Sequence, residues 1–175
     1  MKILVPLDGS HFAEAVLTPA ARLAASSHAE VHLVQVVKPS EARPTYDGAP
    51  VHESSPLTSL DAPSALGGSV PEVGVRFPAE TQIQAQERLL QQARDYLAHV
   101  NEGFFSGGAD VEAILGEDIA RSIADVAERL KVDLIAIATH GRTGLARLMM
   151  GSVSGALLQA KAGPILMVRP EGLNE

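Results

Sequence analysis

The sequence contains no cysteine, and aromatic residues make up only 3% of its 175 residues. Without cysteine the chain can form no disulfide, no thiolate metal site and no cysteine nucleophile, so it has no need of an oxidising compartment. The scarcity of aromatics leaves Ala, Val, Leu and Ile to fill the core, and the length favours a single domain.

Basic residues and long apolar runs are scarce as well. Lys and Arg number 14 against 21 Asp and Glu, which gives a net charge of -7. This balance disfavours long nucleic acids as partners, because their recognition needs a basic surface. No stretch approaches the roughly 20 apolar residues of a membrane span, and the apolar run at the N-terminus is too short for a signal peptide. The sequence therefore predicts a cytoplasmic protein without a membrane or nucleic-acid partner.

Short segments rich in β-branched residues recur along the chain. Three of them, residues 2–7, 31–37 and 133–138, are apolar without alternation, whereas residues 111–115 and 164–168 are weaker candidates. Unalternated apolar strands are typical of parallel sheets that are covered on both faces. The sequence thus predicts five strands.

Between these strands, apolar residues recur at helical spacing and predict four helices. Strands and helices then alternate, which predicts an α/β fold with an open, mostly parallel sheet, helices on both faces, and ligand binding beyond the carboxyl ends of the strands. The residues predicted to face inward are Phe12, Val16, Ala20 and Leu23; Leu89, Ala93, Tyr96, Leu97 and Val100; Ile119, Ile123, Val126 and Leu130; and Val153, Leu157 and Leu158 in a helix that starts near Gly151.

Residues 39–80 interrupt this alternation. The segment carries seven of the 11 prolines in the chain, together with Ser and Gly. We interpret it as an insertion into a single domain that spans residues 1–175. Its composition favours a loosely packed connector over a functional lid.

Residues 138–154 combine a strand end, a glycine loop and a helix start. Glycines at 141 and 151 allow the main chain to approach an anion closely, and the unpaired N–H groups at the helix start can donate to phosphate oxygens. The alternative is that these glycines form only a turn and a helix cap. Four side chains could add hydroxyl donors or positive charge: Arg142, Arg147, Ser152 and Ser154.

The same segment resembles the phosphate-binding motif of the universal stress proteins. Nucleotide-binding members of that family carry a glycine, two residues, a second glycine, nine residues, and then glycine followed by Ser or Thr. Gly141, the nine residues 142–150 and Gly151-Ser152 match the second half, whereas Ala138 replaces the first glycine. The resemblance covers nearly the whole chain, including residues 3–10 and 163–169, and leaves only residues 39–80 outside it.

This resemblance implies a Rossmann-like sheet of the adenine nucleotide alpha hydrolase type with strand order 3-2-1-4-5, and a bound ATP, AMP or ADP with Mg²⁺. Asp8 would contact the ribose or the magnesium ion, and the main chain of Val36 would contact adenine. Without the resemblance, Asp8 also suits a cap of the first helix. The other implied contacts to base, sugar and phosphates are Pro6, Leu7, Ile137, Ala138, His140, Gly141, Arg142, Gly151, Ser152, Val153 and Ser154.

The family resemblance favours a regulatory protein of stress adaptation, whose homodimer is modulated by ATP and forms through strand 164–168. An edge strand has open hydrogen-bonding groups, which pairing across a two-fold axis would satisfy. Two alternatives stay open: a slow ATP hydrolase or nucleotidyl transferase that uses a metal on Asp8, and an interaction module without nucleotide. No partnered nucleophile and base is identified around His140, so no catalytic residue is predicted.

Overall fold

The computed structural model describes residues 1–44, 80–139 and 152–170. In these residues five strands form one sheet: β1 (Lys2–Pro6), β2 (Glu30–Val37), β3 (Asp110–Leu115), β4 (Leu134–Ala138) and β5 (Ile165–Val168). All neighbouring strands are parallel, and their order is β3-β2-β1-β4-β5. The predicted α/β class and the strand order implied by the resemblance are both confirmed.

The helices of the described residues are α1 (His11–Glu14), α2 (Leu17–Ser27), α3 (Gln82–Phe104), α4 (Ile119–Leu130) and α5 (Ser152–Gln159), and Pro39–Glu41 forms a short 3₁₀ turn. Within residues 1–44, 80–139 and 152–170, no helix combines the length and the apolar character that a membrane crossing requires.

The first predicted helix is divided into α1 and α2. Ala15 and Val16 donate to carbonyls three residues back, at 3.3 Å each, which closes a tight turn between the two helices. Pro19 lies four residues after Ala15 and has no N–H, so a continuous helix would lack a hydrogen bond at this point. In the first turn of α2 that N–H is not needed, because the first N–H groups of a helix have no partner within it.

Helices cover both faces of the sheet, as predicted. On one face Ile3, Val5 and Leu33 form a buried cluster with residues of α2 and α3. On the other face Leu4 and Val34 join a cluster with residues of α4 and α5. Side chains of a strand alternate between faces, so β1 and β2 supply both clusters.

Helix α5 is held to the sheet by Leu157, which is fully buried, with Val153 packed against the same cluster. The prediction that Leu158 also faces inward is wrong, because 40% of Leu158 is exposed. Successive residues of an α-helix are rotated by about 100°, so with Leu157 directed into the cluster, Leu158 turns toward the flank of the helix and stays partly exposed.

Both ends of the predicted insertion 39–80 meet at one side chain of α3. Arg88 Nη2 donates to the carbonyl oxygen of Arg43 at 3.2 Å and to Glu80 Oε1 at 2.8 Å. Arg43 and Glu80 are therefore held together through α3. Residues 45–79 lie outside the described part of the chain.

Candidate functional site

The candidate site lies where β1 and β4 separate. These strands pair only through Ile3 with Leu134 and Leu4 with Ile135, although both strands continue further. β1 and β4 are also the neighbours at which the direction of the strand order changes. In open α/β sheets, ligands bind beyond the carboxyl ends of the strands at such a switch point.

Pro6 explains why the β1–β4 pairing stops. Lys2 O faces β4, because it accepts from Asp133 N at 2.9 Å, whereas Leu7 N faces β2, because it donates to Val34 O at 2.9 Å. The main-chain N–H and C=O groups of successive strand residues point to alternate sides, so the main chain of Pro6 faces β4. The next hydrogen bond of the β1–β4 ladder requires an N–H at this position. Proline has no N–H, and the ladder ends there.

The main chain of Val36 is open toward the end of β1. Val34 is the last β2 residue paired with β1, opposite Pro6, and Val36 turns its N–H and C=O to the same side two residues later. No hydrogen bond joins Val36 to β1 in the described part of the chain. An adjacent donor and acceptor thus lie at an open sheet edge, where a planar base can pair with them.

The turn after β1 carries Asp8. Its Oδ1 accepts from Ser10 N at 2.9 Å and from Ser10 Oγ at 2.6 Å. Ser10 Oγ in turn accepts from Ala13 N at 3.1 Å, so the N-cap of α1 is Ser10 rather than Asp8. Oδ2 of the exposed Asp8 has no protein partner among the residues that the structure describes. One carboxylate oxygen is therefore available to a metal or to a ligand.

The carboxylates of Asp8 and Glu14 both lie near the Tyr96 hydroxyl group at this turn. Burial raises the pKa of the Tyr96 hydroxyl well above its usual range, and the neighbouring carboxylates of Glu14 and Asp8 raise it further. The hydroxyl therefore stays protonated and donates to Glu14 Oε1 at 3.1 Å. Among the described residues no group of three His, Asp or Glu side chains could hold a metal ion by itself. A cation at Asp8 would need further oxygens from a ligand.

The start of α5 lies at the same edge of the sheet. Helix α5 leads into β5, which is parallel to the other strands, so its N-terminus lies near the carboxyl ends of β1 and β4. In general, the first N–H groups of an α-helix point away from the rest of the helix, and a helix start therefore favours an anion. Ser152 is exposed, whereas Ser154 is 2% exposed. The structure thus brings the helix start predicted for phosphates to the carboxyl edge that carries Asp8 and Val36.

The remaining predicted residues divide into two groups. Pro6, Leu7 and Ile137 are buried, and Ala138 packs on the face of the sheet that α1 and α2 cover. The others lie outside the described residues, so their predicted role in binding phosphates stays a prediction: His140, Gly141, Arg142 and Gly151, together with Arg147.

Two residues near the site escaped the sequence analysis. A Cβ on Gly116 would lie 2.1 Å from Ser122 Oγ and 3.2 Å from Val36 Cγ1, so glycine allows the chain after β3 to pass close to α4 and β2. Gln35 Oε1 is buried and has no hydrogen-bond partner in the described part of the chain. A lone carboxamide within the apolar strand 31–37 was the available signal for Gln35.

Comparisons with known proteins agree on one family. The family model of the Universal stress protein family matches residues 1–169. The chain is 27% identical to Universal stress protein MJ0531 of Methanocaldococcus jannaschii over 96% of this chain and 81% of that protein. It is 25% identical to Universal stress protein YxiE of Bacillus subtilis, over 96% of this chain and 98% of that protein.

Solved structures show the same fold. The structure of MJ0577, from Methanocaldococcus jannaschii, has a TM-score of 0.64 and 22% identity, with 98% of this chain and 96% of that chain covered. A universal stress protein in complex with cAMP has a TM-score of 0.52 and 16% identity, with 98% of each chain covered.

Proposed function

The chain belongs to the universal stress protein family, and on this basis we propose that it is a regulatory protein that binds an adenine nucleotide at the carboxyl ends of β1, β2 and β4. The observation that carries the proposal is the open main-chain edge of Val36, which lies beyond the last β1 residue paired with β2. A protein of the same fold has been solved in complex with cAMP, an adenine nucleotide.

In this proposal the base edge pairs with the main chain of Val36. The N–H of Val36 donates to a ring nitrogen of adenine, and the C=O of Val36 accepts from the amino group of the base. The phosphates lie at the N-terminus of α5, where Ser152, Val153 and Ser154 contribute main-chain N–H groups. His140, Gly141, Arg142 and Gly151 complete the proposed phosphate contacts, and Pro6, Leu7, Ile137 and Ala138 line the base and sugar.

Replacing Val36 by proline is expected to lower the affinity for AMP and ATP about tenfold or more, because it removes one hydrogen bond and adds a ring at the base edge. The β2–β3 ladder uses the neighbouring residues, since Val37 O accepts from Gly116 N at 3.0 Å, so the sheet keeps its pairing. Titration calorimetry measures the two affinities. Val36→Ala keeps the N–H and serves as the control, which is expected to bind within about twofold of the unaltered chain. Absence of nucleotide binding by the unaltered chain would contradict the proposed function.

We also propose that Mg²⁺ reaches the site with ATP. Mg²⁺ is usually held by one or two carboxylates together with phosphate oxygens and water. Oδ2 of Asp8 has no protein partner in the described residues, and the carboxylate of Glu14 adds negative charge nearby. A single protein carboxylate therefore fits a metal that the nucleotide brings with it.

The variant Asp8→Asn tests the metal contribution. Asn keeps a side-chain oxygen for Ser10 N and Oγ, so the turn is expected to persist. Two unit charges roughly 4 Å apart attract by about 1 kcal/mol in bulk water and by about 4 kcal/mol near a protein surface. Loss of the Asp8 charge is therefore expected to lower the affinity for ATP in Mg²⁺ about tenfold. Calorimetry with AMP in EDTA is the control, and its affinity should hardly change. Equal Mg²⁺ dependence in both proteins would place the metal elsewhere.

We propose further that the protein acts in stress adaptation as a homodimer formed through residues 164–168. The main chain of β5 alternates: Pro164 O and Val168 O accept from β4, so Ile165 and Met167 turn their N–H and C=O outward. β5 is an edge strand of the sheet, and 38% of Met167 is exposed. Pairing with β5 of a second copy would satisfy these open groups.

A further inference from the structure

The side chain of Gln35 holds an unpaired hydrogen-bond acceptor beside the proposed nucleotide site. Gln35 lies between Val34, the last β2 residue paired with β1, and Val36. Its Oε1 is buried and accepts no hydrogen bond in the part of the chain that the structure describes. Buried polar groups in native structures nearly always have a hydrogen-bond partner. An unpaired acceptor next to a binding site is therefore expected to receive its hydrogen bond from the ligand.

The carboxamide lies next to the turn that carries Asp8. A Cβ on Gly9 would stand 3.8 Å from Gln35 Nε2, and among the residues that the structure describes no other atom outside the turn lies within 4 Å of it. Gly9 is exposed and has a φ of +81°, a backbone conformation that glycine adopts readily. The part of the turn over the carboxamide therefore carries no side chain that would block a ligand.

The chemistry of an adenine nucleotide narrows the possible donor. AMP offers two kinds of donor: the amino group of the base and the hydroxyl groups of the ribose. In the proposed site the carbonyl of Val36 accepts from the amino group. The phosphate oxygens are acceptors, whereas the ribose hydroxyls are donors that take no part in the pairing with Val36.

We infer that Gln35 is a specificity-determining residue whose Oε1 accepts a hydrogen bond from a ribose hydroxyl. This inference rests on the proposed nucleotide site and names ribonucleotides, in preference to deoxyribonucleotides, as its ligands. A site that hydrogen-bonds a substrate hydroxyl rejects the analogue without it, because the buried polar group is then left unpaired.

The test compares AMP with 2′-deoxy-AMP and 3′-deoxy-AMP by calorimetry in EDTA. The unaltered chain is expected to bind AMP about tenfold tighter than at least one deoxy analogue. Gln35→Met keeps an unbranched side chain of similar length without the acceptor. It is expected to lose about tenfold in AMP affinity, to bind that deoxy analogue as before, and so to lose the preference.

Ligand-free unfolding provides a second measurement. Gln35→Met removes an orphan acceptor, so its thermal midpoint is expected to equal or exceed that of the unaltered chain. Equal weakening of AMP and both deoxy analogues would show a purely structural role and overturn the inference. No preference for AMP in the unaltered chain would overturn it as well, while leaving the nucleotide site intact. Absence of any AMP binding would overturn both the inference and the proposed function.

Discussion

Replacing Gly116 by alanine is expected to lower the free energy of unfolding by about 1–3 kcal/mol, the usual cost of an extra carbon in a tightly packed position. The new Cβ would lie 2.1 Å from Ser122 Oγ, 3.1 Å from Ser122 Cβ and 3.2 Å from Val36 Cγ1. Ser122 Oγ donates to Asp118 O at 2.8 Å, so rotating the hydroxyl away breaks a hydrogen bond in the first turn of α4. Chemical denaturation with urea measures the loss.

Gly103→Ala is the matched control for this substitution. Gly103 lies in α3, and a Cβ built there meets no atom within 4 Å in the described ranges 1–44, 80–139 and 152–170. Alanine is favoured over glycine in a helix by about 0.5–1 kcal/mol, so this variant is expected to gain stability. Adding Ser122→Ala to Gly116→Ala removes the nearest contact and should recover part of the loss. If Gly116→Ala is as stable as Gly103→Ala, the close packing of β3, α4 and Val36 is refuted.

The inner strands were predictable because a parallel strand that is covered on both faces is apolar at most of its positions. In the segment 133–138, for example, successive side chains point to opposite faces of a sheet that helices cover on both sides. The structure places β4 at Leu134–Ala138. The class of fold followed from the alternation of strands and helices alone. The prediction for Leu158 was wrong because Ala156, Leu157 and Leu158 are consecutive apolar residues, and apolar character alone does not give the direction of each side chain.

The candidate site was predictable only in part, because its features depend on strand register. Sequence places Val36 in a strand, but only the pairing of Val34 with Pro6 shows that the main chain of Val36 is open. The family resemblance implied that Val36 contacts adenine, but it did not explain why the main chain of Val36 is available for this contact. Gln35 and Gly116 were missed since their contacts join residues far apart in sequence, Gly9 in one case and Val36 in the other.

Replacing Met167 by proline is expected to weaken the proposed homodimer on the order of 5- to 150-fold in Kd. In a two-fold symmetric interface the substitution removes two hydrogen bonds, each worth about 0.5–1.5 kcal/mol, and a tenfold change in Kd corresponds to about 1.4 kcal/mol. The N–H of Met167 faces away from β4, because Thr139 N donates to Val168 O and main-chain direction alternates along β5. The sheet of each subunit should therefore stay intact. Analytical ultracentrifugation across a dilution series measures Kd.

Met167→Val separates the main chain of this strand from its side chain. The variant keeps the outward N–H and shortens a side chain that is 38% exposed, so it is expected to dimerise within about twofold of the unaltered protein. Circular dichroism should show the same secondary structure for both variants, because no hydrogen bond to β4 is removed. A Met167→Pro protein that remains dimeric at every concentration would exclude β5 as the interface. Equal weakening by valine would instead show that side-chain packing, and not strand pairing, holds the dimer together.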